Sequence, residues 1–280
     1  MIFDCLKQSV QSVAGSYAFS YQSMRVAPQH VVITGASSGI GAALVSIYSR
    51  RGTRLSLIAR DRSRVEDIAG EAQRHGSDVN AYTVDVTDAA GMESALIECD
   101  AQCSVDLVIA NAGIGGAAVL APNTGESGEI ARRIFSVNTL GVVNTVTPLL
   151  SRFIGRRSGQ IVIVSSLAAL LGLPDCPAYS ASKAAIRAYG DALRRSVATH
   201  GVRITIVCPG FVDTPMSASL PFPRPLMWSA ERAAEYIARG IARGKREVLF
   251  PWSLRMGMRI VGALPLSLAD RILIRLRVGV

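Results

Sequence analysis

Seven short apolar runs, separated by longer stretches of helical period, constrain this chain more than any other feature. The runs are HVVIT, RLSLIA, VNAYTV, VDLVIA, QIVIVS, VRITIVC and EVLF. They are rich in β-branched residues and several are almost continuously apolar, as strands covered on both faces must be. Helical periodicity over 41–51, 62–75, 131–153, 178–200 and 229–243 supplies the covering layers. Strands alternating with helices predict βαβ units: an α/β fold with one doubly wound, seven-stranded parallel sheet and helices on both faces, in a single domain. With 280 residues, 49% of them hydrophobic and 18% charged, the chain can bury such a sheet. Ligands in this architecture bind beyond the carboxyl ends of the strands, so the strand-end loops come first.

The first of these loops is TGASSGIG, Thr34 to Gly41, between a strand and a helix. Gly35, Gly39 and Gly41 permit a tight turn and a close approach of backbone to a pyrophosphate seated at the helix N-terminus. Ser37, Ser38 and Ile40 fill the turn between them. The alternative is a structural turn with no ligand. No G-K-[ST] follows, which excludes a P-loop. The next strand ends LIARD, where a dinucleotide site must meet the adenosine ribose. Arg60 there would pair with a 2′-phosphate and predicts NADP(H). Asp61, if the loop turns one residue later, would instead accept from a free 2′-hydroxyl and leaves NAD(H) open.

In YSASK, Tyr179 and Lys183 stand four apart, so on a helix over 178–200 they share one face. A free Tyr titrates near ~10 and is a poor proton carrier at neutral pH. A neighbouring cation favours the phenolate and lowers that value. The pair can therefore serve as a tuned general acid–base, or simply share a surface helix.

Taken with NAG at 111–113 and SS at 165–166, these motifs resemble the classical short-chain dehydrogenase/reductase family, from about His30 to Pro251. The resemblance implies a Rossmann-like fold and a position-by-position set of roles. Asn111, Ala112 and Gly113 would support the central sheet and lie along the cofactor; many members carry a second Asn where this chain has Ala110. Asp85 would bond the adenine amino group, with Val86 alongside. Asn138, in FSVNTLG, would hold a water in the proton relay to Lys183. Ser166 lies 13 residues before Tyr179, as the family pattern requires, and would hydrogen-bond the substrate oxygen. Lys183 would also hold the nicotinamide ribose. Pro209, Gly210, Val212 and Thr214, in PGFVDTPM, would close over the nicotinamide.

The activity so implied is hydride transfer between NADP(H) and a carbonyl or alcohol, with Tyr179 as general acid–base. A non-catalytic NAD(P)H-sensing protein of the same fold is the alternative. Retention of Asn138, Ser166, Tyr179 and Lys183 together favours the enzyme, since a binder needs no proton relay. Epimerisation of a sugar nucleotide is disfavoured, because there is no room for an extended substrate domain. A small-molecule substrate, a homo-oligomer (dimer or tetramer) and a cytoplasmic location complete the expectation.

Charge and cysteine content remove other classes. Net charge +9 invites nucleic acid or an anionic membrane, but no run of five Lys/Arg and no zinc-finger or RRM motif is present. Nucleic acid is not expected. Five Cys (5, 99, 103, 176, 208) and three scattered His (30, 75, 200) predict reduced thiols and no metal site.

The division expected is 1–29 as an N-terminal extension, 30–251 as the catalytic domain and 252–280 as a C-terminal amphipathic basic segment. The Ser-rich leader 1–28 reads either as faintly transit-like or as sequence upstream of a true start at Met24. Residues 216–231 are expected to roof the substrate, with Phe222, Leu226, Met227 and Trp228 as an apolar lid or as ordinary core. Arg224 there would meet an anionic substrate group or stay solvated. Beyond Pro251, apolar residues alternate with Arg255, Arg259, Arg271, Arg275 and Arg277, and Pro265 divides two segments too short to span a bilayer. Two readings fit: helices lying in an anionic membrane interface, which would suit a lipid-like substrate, or a helical pair packed on protein.

Overall fold

The computed structural model describes residues 27–115, 126–218, 220 and 223–275. The leader up to residue 26, Cys5, Phe222 and Arg277 lie outside the described residues. Strands β1 (His30–Thr34), β2 (Arg54–Ala59), β3 (Asp78–Thr83), β4 (Leu107–Ala110), β5 (Gln160–Val164), β6 (Arg203–Pro209) and β7 (Glu247–Phe250) form one sheet. Its order is β3-β2-β1-β4-β5-β6-β7 and every pairing is parallel. Each apolar run of the sequence supplies one strand.

Alternate residues of the strands serve two cores. Val31, Ile33, Leu55 and Leu57 pack on one face with α1 (Gly39–Tyr48), α2 (Arg62–Arg74) and α8 (Ala230–Ala242). Val32, Ile58, Val108 and Ile163 pack on the other with α3 (Ala89–Gln102), α5 (Gly141–Gly155) and α6 (Pro177–Ser196). Helix α3 is the one that periodicity did not single out, because its polar residues are scattered round its axis. Its start is set by the Asp88 carboxylate, which accepts from Gly91 N at 3.0 Å, and Met92, Leu96 and Cys99 bury it. Before α5 the chain runs through α4 (Gly128–Phe135) and a π-helical turn (Ser136–Leu140) without a break. This 28-residue helix is long and apolar enough to cross a bilayer by length and composition alone. Its stripe Val142, Val146, Leu149 and Phe153 is instead buried against the sheet. Removing a side chain such as Phe153 from that core would cost about 3–5 kcal/mol.

The connectivity reverses between β1 and β4, where the chain leaves one side of the sheet for the other. That is the crevice at which a doubly wound fold binds its ligand. A third, smaller cluster continues the core past the ends of the later strands. Leu167, Ile206, Cys208 and Leu249 form it, and Leu254 and Met258 of α9 (Trp252–Gly262) pack on them. Helix α10 (Leu266–Arg275) follows, with Pro265 at the break, so the C-terminal segment is a helical pair. A four-residue helix, α7 (Pro215–Ala218), completes the elements near the crevice.

Candidate active site

A cleft of about 680 Å³ opens over the carboxyl ends of the strands. One end is built from backbone. Gly35 and Gly39 have φ of +65° and +53°, where only glycine is unstrained, and a Cβ on Gly41 would fall 2.0 Å from the Gly35 carbonyl oxygen. Asn111 fixes the turn: its Nδ2 donates to Thr34 O at 3.1 Å and Gly35 O at 3.2 Å. In return the Thr34 hydroxyl accepts from Asn111 N and Ala112 N. NAG therefore laces β4 to β1 at the switch point. Ser38 begins α1 with no side-chain cap, and the first turn of the helix carries no acidic residue. The exposed N–H groups of that turn suit an anion.

Beside this turn the cleft wall is polar. Arg60 and Arg64 line the cleft wall with Asp61 and Asp85. Asp61 is occupied: its carboxylate caps α2 by accepting from Arg64 N at 3.1 Å and pairs with Arg64 Nε at 3.2 Å. Arg60 is exposed and has no such partner among the described residues. Asp85 turns inward to accept from the Thr87 N–H and hydroxyl. Burial pushes the Asp85 carboxyl up, but the Thr87 bonds and the cations of Arg60 and Arg133 outweigh it, so it sits below the usual range. Val86 is buried; its carbonyl accepts from Asn144 Nδ2, and a Cβ on Gly141 would strike its side chain.

At the other end stand the titratable groups. Tyr179 and Lys183 lie one turn apart near the start of α6, with Lys183 Nζ 5.8 Å from the phenol ring centre. Lys183 Nζ donates to Val164 O at 3.0 Å, and burial lowers its pKa to about 8. Burial pushes Tyr179 up to about 12, while its bond with the Ser166 hydroxyl, which favours phenolate, offsets only part. The expectation that Lys183 pulls the phenol down is thus corrected. Desolvation of the phenol is the largest cause, and Lys183, 5.8 Å from the ring centre, does not offset it.

Ser165 is buried and donates to Lys183 O at 2.8 Å, anchoring α6 to β5. Ser166 faces the cleft, accepts from Ala168 N at 3.1 Å and reaches Pro209 O only at 3.5 Å. Its proton is therefore only weakly held by the main chain and can be shared between Tyr179 and a ligand.

Asn138 sits in the π turn, a feature frequent at functional sites. Its side chain is already engaged: Oδ1 accepts from Ile114 N at 2.8 Å, and Nδ2 donates to Ile114 O and the Ser182 hydroxyl. The side chain is thereby committed to positioning the loop after NAG. A Cβ on Gly113 would lie 3.2 Å from Asn138 Oδ1 and 3.3 Å from Lys183 Nζ, so glycine keeps that space open.

Pro209 and Gly210 leave β6, and Val212 pairs with Trp228 in an isolated bridge. Thr214 and Ser217 cap α7 reciprocally, each side chain accepting from the other's N–H. The Thr214 methyl touches the position where Gly39 would carry a Cβ. This segment hence lies over the glycine turn, but the Thr214 hydroxyl is spent on the cap.

The two readings left open for the 216–231 segment, lid and core, divide along it. Trp228 stacks on Phe250 at 4.7 Å between ring centres and meets Tyr236 edge-on, so it belongs to the core. Leu226 and Met227 point to solvent. Arg224 donates to Ser217 O at 3.1 Å, at the end of α7. The apolar wall comes from Met216 and Leu220 at the start of this segment, from Leu171 and Leu173, and from Leu254, Met258, Val261 and Leu273 of the C-terminal helices. Sequence reading missed this use of α9 and α10. Spacing could have shown it, since Leu254, Met258 and Val261 fall on one helical face. Cys176, buried and lining the cleft, was missed as well.

The residues fit a nicotinamide dinucleotide: a glycine cradle whose space any side chain would fill, an uncapped helix N-terminus for the pyrophosphate, and a Tyr–Lys–Ser cluster at the far end.

Comparison with known proteins agrees. A family model described as short chain dehydrogenase matches residues 29–223. An uncharacterized oxidoreductase of Myxococcus xanthus (strain DK1622) is 37% identical over 247 residues, covering 88% of this chain and 96% of that protein. A short chain dehydrogenase from Burkholderia cenocepacia J2315, solved in complex with NADP, is 25% identical with a TM-score of 0.74, over 87% of this chain and 96% of the other. One from Burkholderia phymatum, solved with NAD, shares the fold at a TM-score of 0.75 and 22% identity, over 90% of this chain and 96% of the other.

Proposed function

The chain belongs to the short-chain dehydrogenase family and is an oxidoreductase with a nicotinamide dinucleotide site, and from that premise we propose that it reduces a hydrophobic, lipid-like carbonyl compound with NADPH. One observation carries the reading: Ser166, Tyr179 and Lys183 converge where the backbone-built end of the cleft meets an apolar wall. A nicotinamide held in this cleft would supply the hydride for the carbonyl carbon. Ser166 turns its weakly held proton to the carbonyl oxygen and fixes its orientation. Tyr179, protonated at neutral pH as any phenol is and more firmly so for being buried, donates to that oxygen as it becomes an alkoxide, a far stronger base. In the alcohol direction the Tyr179 phenolate takes the proton back. Lys183 is held by Val164 O with its ammonium toward the space beside Gly113, where ribose hydroxyls would lie.

Two features support NADP(H) over NAD(H). Arg60 presents an uncommitted guanidinium at the ribose end, and Asp61, the rival acceptor, is committed to capping α2. The hydrophobic substrate class rests on the apolar wall and on a second groove that continues from the cleft between the 168–174 loop and α10. Leu171, Leu173 and Leu273 line both, giving an extended chain a path out of the cleft.

The test is oxidation of NADPH and NADH over a panel of ketones, aldehydes and 3-ketoacyl compounds of increasing chain length. Turnover with NADPH that improves with chain length is expected. Tight NADPH binding with no turnover across the panel would favour the cofactor-sensing alternative.

A further inference from the structure

Helices α9 and α10 each use one face against the protein and leave another open. On α9, Leu254, Met258 and Val261 face the cleft. Trp252, Met256 and Ile260, at i, i+4 and i+8, fall on the opposite side with Arg255 and Arg259 beside them. Trp252 is 69% and Ile260 59% exposed. On α10, Ala269 is buried and Leu273 reaches the cleft, while Leu268, Arg271, Ile272 and Arg275 form an outward stripe. At the connection, Leu266 is 81% exposed. Large apolar side chains so exposed on two consecutive helices mark a contact surface rather than scatter.

The charges choose the occupant. The pair carries four arginines and one acid, Asp270, within a chain of net charge +9. Among the described residues, none of the four arginines is in an ion pair. An apolar stripe flanked by unpaired cations matches an anionic lipid surface, which accepts apolar side chains below and arginines at the headgroups.

We propose that α9 and α10 dock the protein on anionic membrane, with Trp252, Ile260 and Leu268 in the interface and Arg259, Arg271 and Arg275 on lipid phosphates. The docked roof is also the cleft's apolar wall, so it holds the substrate end of the cleft within reach of lipid. The docking goes beyond the reductase reading and stands without it.

The two tryptophans make the test direct. Trp228 is stacked in the core under Arg232, whereas Trp252 is open, so an environmental change on docking is read from Trp252 alone. The full chain is mixed with phosphatidylcholine vesicles, with and without phosphatidylglycerol, then sedimented and its emission recorded. Expected are lipid-dependent pelleting with the anionic vesicles only, a blue shift absent in Trp252→Phe, and weakening as salt shortens the screening length from about 8 Å toward about 3 Å at 1 M. Ile260→Asp with Leu268→Asp should lower the partition at least tenfold, and so should charge reversal of Arg259, Arg271 and Arg275. No lipid-dependent pelleting of the wild type at low salt overturns the proposal. So does pelleting that survives the Asp pair with Trp252 emission unmoved, which would be ordinary attraction of a basic protein. A Trp252 shift that follows protein concentration without lipid overturns it in favour of a second copy of the chain.

Discussion

The two ends of the cleft are made of different material. The dinucleotide end is mostly main chain: Gly35 and Gly41, whose Cβ positions are filled by neighbouring backbone, an uncapped helix start, and Asn111 lacing two strand ends together. The substrate end is side chain, gathered from a loop after β5, from α7 and from two helices after the last strand. Backbone geometry tolerates almost no substitution, so it leaves a spacing pattern in the sequence. An apolar wall accepts any residue of similar volume, so it leaves none. The first end defines the chemistry; the second defines what is brought to it.

Where the two ends meet, the largest effect is expected. Tyr179→Phe removes one hydroxyl and keeps the ring, so carbonyl reduction should fall by about 10²–10⁴-fold, the range for a lost general acid. NADPH binding, measured by fluorescence titration, should stay close to wild type. Near-normal turnover in this variant would place the proton donor elsewhere and dissolve the distinction between the ends.

A smaller loss belongs to the dinucleotide end alone. Arg60→Ala deletes a cation meant for a 2′-phosphate, and a charge-assisted hydrogen bond is worth about 1.5–3 kcal/mol. NADPH affinity should therefore drop roughly 10–100-fold while NADH changes little. Equal losses for both cofactors, by calorimetry, would show that Arg60 does not read the phosphate.

What was legible follows the same division. The seven strands, the glycine turn and the Tyr–Lys spacing could be read because each is local and repeats a backbone period. Burial could not: whether Lys183 lowers Tyr179 depends on how much protein covers both, and the cover comes from segments far apart in the chain. Likewise the position of Trp228 left lid and core both open, and only the packing of Phe250 and Tyr236, from β7 and α8, draws it against the core. Asn138 carried a family motif, but only the π turn shows that its side chain is consumed by Ile114.

Burial at the junction also predicts a conflict between stability and activity. The lowered pKa of Lys183, about 8 against an ordinary 10.5, means that the folded state binds its proton less tightly than the unfolded state does. Between those two values the unfolded chain holds more protons, so stability rises with pH there, and below about 8 the full penalty applies. That penalty is on the order of 3 kcal/mol, from about 1.36 per pH unit, less about 1 for the bond to Val164 O that removal would forfeit. Lys183→Met should thus abolish turnover yet melt a few degrees higher than wild type at pH 7, without cofactor. The gain should shrink between pH 8 and 10.5. A lower melting temperature at pH 7 would mean that the site does not strain the fold.

The smallest effects separate the observed substrate wall from the one expected of the lid. Met258 lines the cleft from α9 and packs on the cluster of Leu167 and Cys208, whereas Leu226 points to solvent. Met258→Ala withdraws about 1 kcal/mol of apolar contact, so KM for a long-chain ketone should rise about fivefold. The effect should fade with short ketones, which do not reach the wall, and kcat should hold, because Ser166 and Tyr179 are untouched. Leu226→Ser, made in the segment whose position suggested a lid, should change neither constant. Thermal melts of both variants guard against a folding defect mistaken for lost binding. If Leu226→Ser raised KM and Met258→Ala did not, the substrate would sit under the 216–231 segment, and the division of the cleft would move away from the C-terminal helices.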